Sequence, residues 1–347
     1  MREKFASSDT VITLLEKSPE ESDVSLEEMA YKKGKHLLSE LQGKFYEKYV
    51  LGPGGLENNR PKIVVNPEDS GDLEREKLQD IQRVEALKET LAEKFGEKEK
   101  EEELKNYLYS KISEALFIGL MNEWFKGNIE AYPASEYDDL ENGVDVILKI
   151  NGENPVVVAV DFTNSNNANW IARKFNNIAE EIEKGKMANI KYGKFAAFSG
   201  EVCRIIIGLE QKNMLELMGL KIHADDNIGL DKKNLASHWS KMAFVIMGIK
   251  IPDFWSNYVE EEIKKGNKIS EGVLRHIETQ YQGAAENILA LYRNKIYPQL
   301  KLDYEKTPEY KKTKAPFPSE KALIEMWTEK ISHTDTVFRS LLAIHSN

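Results

Sequence analysis

Two aspartates stand in neighbouring apolar segments of the chain. Asp145 lies in GVDVILKI (143–150) and Asp161 in VVVAVDFT (156–163), with Asn151-Gly152 between the two segments. Read at a period of two residues, each segment has one apolar face, and both aspartates fall on the other, less apolar face. Two carboxylates side by side offer the oxygen ligands that a divalent cation such as Mg²⁺ takes.

The local sequence predicts that these segments pair as a β-hairpin. Asn-Gly between two β-branched runs is a strong turn signal, and Pro155 is tolerated at the first residue of a strand. If residues 152–154 form the loop, Asp145 faces Asp161 directly, with the Cβ atoms about 5 Å apart. A slip of one residue would put the carboxylates on opposite faces and would mismatch the two valine-rich faces.

Two carboxylates at that distance repel each other, so one becomes protonated unless a cation compensates. A metal ion is one candidate for the cation, and Lys149, on the same strand face as Asp145, is another. The alternative is a pair of solvated carboxylates at the ends of strands in a half-exposed sheet.

Composition restricts the class of protein. The chain has 347 residues, of which 41% are hydrophobic and 31% charged, as in globular proteins that fold in water. Its net charge of −10 disfavours non-specific adhesion to nucleic acid, so any phosphate binding must depend on a local patch or on metal. A single cysteine, Cys203, excludes an intramolecular disulfide and fits a reducing compartment. With no apparent signal peptide and no apolar run long enough for a bilayer, we expect a cytoplasmic protein without a membrane partner.

Periodicity divides the chain into four regions. We predict a flexible N-terminus (1–24), a helical region (25–103), an α/β core (104–210) and a helical C-terminal region (211–347). The core reads as a helix, three strands, a second helix at about 168–184 and a last strand at 204–209. The predicted fold class is therefore α+β, with a small mixed β-sheet of α-β-β-β-α-β order flanked by helical regions.

This order, with one acid on the second strand and another on the third, resembles the PD-(D/E)XK nuclease superfamily over residues 104–210. In that superfamily the acids bind Mg²⁺ and a lysine two residues after the second acid positions the attacking water. The corresponding residues here are Val144-Asp145 and Asp161-Phe162-Thr163, so the proline is absent and Thr163 replaces the lysine. The resemblance implies a Mg²⁺- or Mn²⁺-dependent phosphodiesterase acting on DNA or RNA, with Asp145 and Asp161 as metal ligands.

Two further catalytic candidates come from the flanking helices. Some members of the superfamily carry the lysine on the following helix, where Lys174 lies about 60° from the centre of the apolar stripe and can extend its amine toward the sheet. Its alternative role is that of an ordinary boundary lysine. The first helix of such cores often supplies a glutamate, for which we favour Glu123, because it shares a face with Ile112 and Leu116 whereas Glu114 lies nearly opposite. The alternative for Glu123 is a simple helix-end residue.

Other signals are weaker. Lys184, Lys186, Lys191 and Lys194 follow the second core helix and are candidate contacts to nucleic-acid phosphates, with solvated surface charge as the alternative. The six histidines lack metal-ligand spacing, and neither a P-loop nor a dinucleotide motif occurs.

Two alternatives to a nuclease remain open. Thr163 and the acidic charge favour a nuclease-like core that has lost catalysis and serves as a binding or scaffolding module. The other is a helical interaction protein with a purely structural sheet, which predicts that the carboxyls of Asp145 and Asp161 lie far apart.

Overall fold

The computed structural model describes residues 25–66, 68–95, 100–164, 167–193, 200–222 and 230–343. Within them the prediction of an α+β fold with a small mixed sheet between helices is confirmed. The N-terminal region predicted to be flexible lies outside the described residues.

The N-terminal region is helical, and capping explains where its helices begin. Its helices are α1 (Leu26–Gly34), α2 (Glu40–Phe45), α3 (Leu56–Asn59) and α4 (Asp72–Lys94). Ser25 caps α1 by accepting from the N–H of Glu28. The sequence predicted one helix to about residue 49, but a capping box between Ser39 and Gln42 starts α2 as a separate helix. A π-helical turn, Tyr46–Val50, follows α2.

The central region adds one long helix and the sheet. Its elements are α5 (Glu101–Trp124), β1 (Ile129–Pro133), α6 (Glu136–Leu140), β2 (Val146–Ile150), β3 (Val156–Thr163), α7 (Ala168–Glu183), β4 (Ala188–Ile190) and β5 (Gly200–Gly208). The strands lie in the order β1-β2-β3-β5-β4. The first three form an antiparallel meander, and β5 runs parallel to β3 after the crossover through α7. The short antiparallel edge strand β4 was missed, because three residues carry too little pattern.

The hairpin has the predicted register. Val146 pairs with Val160 and Ile150 with Val156, which leaves residues 151–155 to connect the strands. The apolar faces of β2 and β3 therefore match, as the valine pattern required. Val144, which the two-residue period assigned to the same face as Val146, packs instead with Ile147 on the other face, because it precedes the strand.

The C-terminal region is helical and packs against the sheet. Its helices are α8 (Gln211–Ile222), α9 (Leu230–Lys264), α10 (Glu271–Leu291), α11 (Tyr297–Glu305), α12 (Pro308–Thr313), α13 (Glu320–Thr334) and α14 (Thr336–Ala343). The periodicity of the sequence predicts helices near 235–247, 259–265, 271–292 and 319–344, so it missed α8, α11 and α12 and split α9 into two helices. It also merged α13 with α14, which separate at Asp335, whose carboxylate accepts from the N–H of Phe338 at the start of α14.

One large apolar cluster joins the N-terminal helices, the sheet and the C-terminal helices. It contains Phe45 of α2, Leu116 of α5, Val160 of β3, Trp255 of α9 and Phe338 of α14. A second, smaller cluster lies on the other face of the sheet, the face to which Asp161 belongs. None of the helices in the described part of the chain combines the length and apolar composition that crossing a bilayer requires.

Candidate functional site

Asp145 and Asp161 line the same cleft, which has a volume of about 770 Å³. The paired register of the hairpin ends at Val146 and Val160, next to the two aspartates. Beyond it the ladder changes: the N–H of Asp145 donates to the carbonyl of Val160, and Oδ2 of Asp145 accepts from the N–H of Phe162 at 2.6 Å. Asp145 is thus held by the neighbouring strand, close enough to Asp161 for each charge to affect the same cleft.

Lys174 reaches this pair from α7. The side chain of Asn167 caps the helix, and the apolar stripe on Ile171 and Phe175 is buried against the core. Lys174 lies at the edge of that stripe, and its ammonium pairs with Oδ1 of Asp161 and donates to the carbonyl of Phe162 at 3.2 Å. The structure therefore brings Asp145, Asp161 and Lys174 together. Lys149, the other cation considered, pairs with Glu130 of β1 at 3.2 Å.

Thr163, which stands where the PD-(D/E)XK nucleases carry a lysine, is buried in the last residue pair between β3 and β5. It lies opposite Gly208, and a Cβ on that glycine would clash with the carbonyl of Thr163. The two backbones therefore approach too closely for a larger residue at 208.

The expectation for Glu123 is wrong in its placement. Glu123 is exposed near the end of α5, where its charge acts on Lys241 of α9. It is Glu114 that is fully buried and that acts electrostatically on Asp145. The two glutamates are nine residues apart, about 13 Å along the helix. The helical wheel failed because α5 is buried on all sides from Lys111 to Phe117 and so has no solvent face.

Glu114 belongs to a buried network of charges. Oε1 of Glu114 accepts from Lys111 at 2.8 Å, and its Oε2 lies 3.4 Å from Arg60, the residue that follows α3. Both cations also bind Oδ2 of Asp139, Lys111 at 2.6 Å and Arg60 at 3.0 Å. Arg60 further donates to the carbonyl of Ala134. The N-terminal region thus supplies a buried cation to the acidic site.

Burial raises the pKa of Asp145 well above its usual range. The negative charges of Glu114 and Asp161 raise it further. Burial likewise raises the pKa of Asp161, although Lys174 opposes this shift. Four acids of the network lie among three bases: Glu114, Asp139, Asp145 and Asp161 against Arg60, Lys111 and Lys174. The site therefore has an excess of negative charge that protons or a cation must balance.

A second acidic group lies at the N-terminal side of this network. Carboxylate oxygens of Glu27, Glu57 and Glu136 lie within 4.8 Å of one another. Cations already contact two of them: Lys88 lies 2.7 Å from Glu136 and Arg60 lies 3.6 Å from Glu57. Oε2 of Glu27 and Oε2 of Glu57 are both buried without a hydrogen-bond partner, so one proton held between them would satisfy both.

The lysines predicted to contact nucleic-acid phosphates lie in different surroundings. Lys184 is exposed at the rim of the 770 Å³ cleft and pairs with Glu180 at 3.1 Å, and Lys186 is also exposed. Lys191 is unsuited to phosphate, because Glu76 and Asp80 of α4 already neutralise its ammonium. Lys194 lies outside the described residues.

Sequence reasoning missed three residues that border the aspartates. Arg204, on the strand beside Asp161, donates to the carbonyl of Asn142 at 2.6 Å and lies 3.6 Å from Glu181. Trp170 and Arg173, on the first turns of α7, line the same cleft. The position of Trp170 off the apolar stripe was the available signal for an exposed aromatic ring.

Comparison of the chain with protein-family models, with curated proteins and with solved structures finds no match.

Proposed function

We propose that the protein is a metal-dependent nuclease that hydrolyses phosphodiester bonds in DNA or RNA. The observation that supports this most directly is the meeting of Asp145, Asp161 and Lys174 in one cleft. Two neighbouring carboxylates and one ammonium are the groups that the resemblance to the PD-(D/E)XK nucleases requires, and here the ammonium comes from the following helix.

The residues present fit a divalent cation. Mg²⁺ and Mn²⁺ prefer oxygen ligands, and Asp145 and Asp161 would supply them. The raised pKa of Asp145 comes from burial and from the nearby carboxylates, and a cation bound beside it would offset both effects. When bound, such an ion polarises the scissile phosphate and lowers the pKa of a coordinated water.

The side chains of this chain then have distinct tasks. The N–H of Phe162 fixes the orientation of Asp145, and Lys174 orients Asp161. Lys174 is also suited to hold the attacking water or to donate to a phosphate oxygen as negative charge develops there. Glu114 contributes negative charge to the site but is already held by Arg60 and Lys111, so we assign it to positioning rather than to catalysis.

The direct test is cleavage of mixed single-stranded and duplex DNA and RNA by the purified protein with Mg²⁺ or Mn²⁺. We expect cleavage that Asp145→Asn and Asp161→Asn each reduce at least about 100-fold, since each removes a ligand charge. Glu123→Gln is the matched control and should cleave like the wild type. No cleavage by the wild type, or equal cleavage by Asp145→Asn, contradicts the proposal.

The second candidate is a nuclease-like module without catalysis, which Thr163 at the family lysine position favours. Calorimetric titration with Mg²⁺ separates it from the nuclease. The module predicts no binding heat that the double variant Asp145→Asn and Asp161→Asn removes, whereas the nuclease predicts a site that this variant abolishes.

A further inference from the structure

Trp170 is an aromatic ring left open to solvent beside the acidic site. It is 48% exposed, on the first turn of α7. Within the described residues, the other large exposed apolar side chains are not aromatic: Val64, Leu73, Val273, Leu302 and Met326. At a similar exposed fraction, an indole leaves a larger and flatter apolar surface in water than an aliphatic side chain does.

The ring stands between two clefts. One is the 770 Å³ cleft with the two aspartates, and the other, of about 1110 Å³, lies toward Thr163 and Asn164. Trp170 and Lys174 line both. A strand that passes from one cleft to the other would therefore cross the ring while its backbone lies beside Lys174.

The charges of the clefts disfavour binding through phosphates alone. The smaller cleft is lined by five acidic and four basic side chains, and the larger by two of each. Neither is a basic groove of the kind that tracks a duplex backbone. One basic side chain lies beside the exposed ring: the guanidinium of Arg173 is 5.6 Å from the centre of the Trp170 ring.

We propose that Trp170, flanked by Arg173, is a stacking platform for an unpaired base, and that the substrate of the site is single-stranded nucleic acid. Bases of a single strand expose their faces and stack on aromatic side chains whatever their sequence, whereas the bases of a duplex are already stacked on one another. Stacking supplies the affinity that a balanced cleft lacks. This inference rests on the proposed nuclease function and names its class of substrate.

The test measures binding without cleavage. Fluorescence anisotropy in EDTA would follow labelled oligo(dT) and oligo(U) of about 20 nucleotides, and the matched dA·dT duplex. We expect the wild type to bind single strands more tightly than the duplex. Trp170→Ala should weaken single-strand binding about 10-fold, and Trp170→Phe should retain most of it. Leu302→Ala, which removes an equally exposed side chain that lines neither cleft, should bind like the wild type.

A duplex preference of the wild type, or undiminished binding by Trp170→Ala, overturns the platform. Because Trp170 is exposed, Trp170→Ala should unfold at the wild-type temperature, so loss of binding reports loss of the ring rather than misfolding. The two proposals fail separately. Cleavage that depends on Asp145 but not on Trp170 removes the platform and keeps the nuclease, and Trp170-dependent binding without any cleavage removes the nuclease alone.

Discussion

At the scale of single residues, the proposed cleavage depends most on the position of Lys174. Its ammonium is the one basic group paired directly with Asp161 within the described residues. We expect Lys174→Met to lower the cleavage rate about 100-fold, because it removes a donor to the transition state. Mg²⁺ should still raise the unfolding temperature of this variant, because both carboxylates remain.

Lys264→Met is the control for Lys174, because it removes an exposed ammonium of α9 that lines neither cleft and whose ion-pair partners within the described residues are Glu260 and Glu261. It should change cleavage less than about threefold, as expected for a surface salt bridge. Equal losses in the two variants would show that general electrostatics, rather than the position of Lys174, determines the rate.

The buried pair Glu27 and Glu57 predicts a pH dependence of stability. Burial and the adjacent Glu27 raise the pKa of Glu57 to about 8. The folded state therefore retains a proton that the unfolded chain loses near pH 4.5, so stability should fall as the pH rises from about 5 through 8. We expect a loss on the order of 2 kcal/mol.

Chemical unfolding at a series of pH values measures this effect. Glu57→Gln keeps a hydrogen-bond donor toward Glu27 and should flatten the dependence between pH 5 and 8. Glu89→Gln, an exposed residue on the rim of the adjacent groove, should leave the slope unchanged. A wild-type stability that is constant over this range would refute the shared proton.

At the scale of elements, Asp80 links α4 to the residues that follow β4. Its buried carboxylate binds the ammonium of Lys191 and accepts from the hydroxyl of Tyr192 at 2.7 Å, just after β4. We expect Asp80→Ala to cost about 1–3 kcal/mol, because both partners lose a buried acceptor. Hydrogen exchange should show faster opening of α4 than of the sheet. Asp72→Ala, fully exposed on the same helix, should cost under about 0.5 kcal/mol.

The sequence predicted the elements with strong local pattern and missed those whose geometry depends on tertiary packing. The hairpin followed from its turn and two valine faces, and α7 with Lys174 followed from a clear apolar stripe. Glu114 was missed because α5 is buried all round, and Arg60 because the two elements it joins are far apart in sequence. The break at Asp335 was missed because an apolar pattern continues across it.

At the scale of the whole molecule, the shared core predicts that the central region does not fold alone. Phe175 of α7 stacks on Trp255 of α9, and the hydroxyl of Tyr281 in α10 donates to the carbonyl of Arg204 in β5. A fragment of residues 104–210 would expose these surfaces to water. We expect it to show no cooperative thermal unfolding by circular dichroism, whereas the full chain does. A fragment that melts cooperatively would instead support the predicted boundaries as those of an independent domain.

The ion pair between Asp161 and Lys174 has a consequence for assembly. The chain itself provides an ammonium that compensates the charge of Asp161. If the proposed cation binds here, the protein would reach its native shape before it takes up the ion, unlike a zinc finger, which is unfolded without its metal. On that proposal, chelation should abolish cleavage without unfolding the protein.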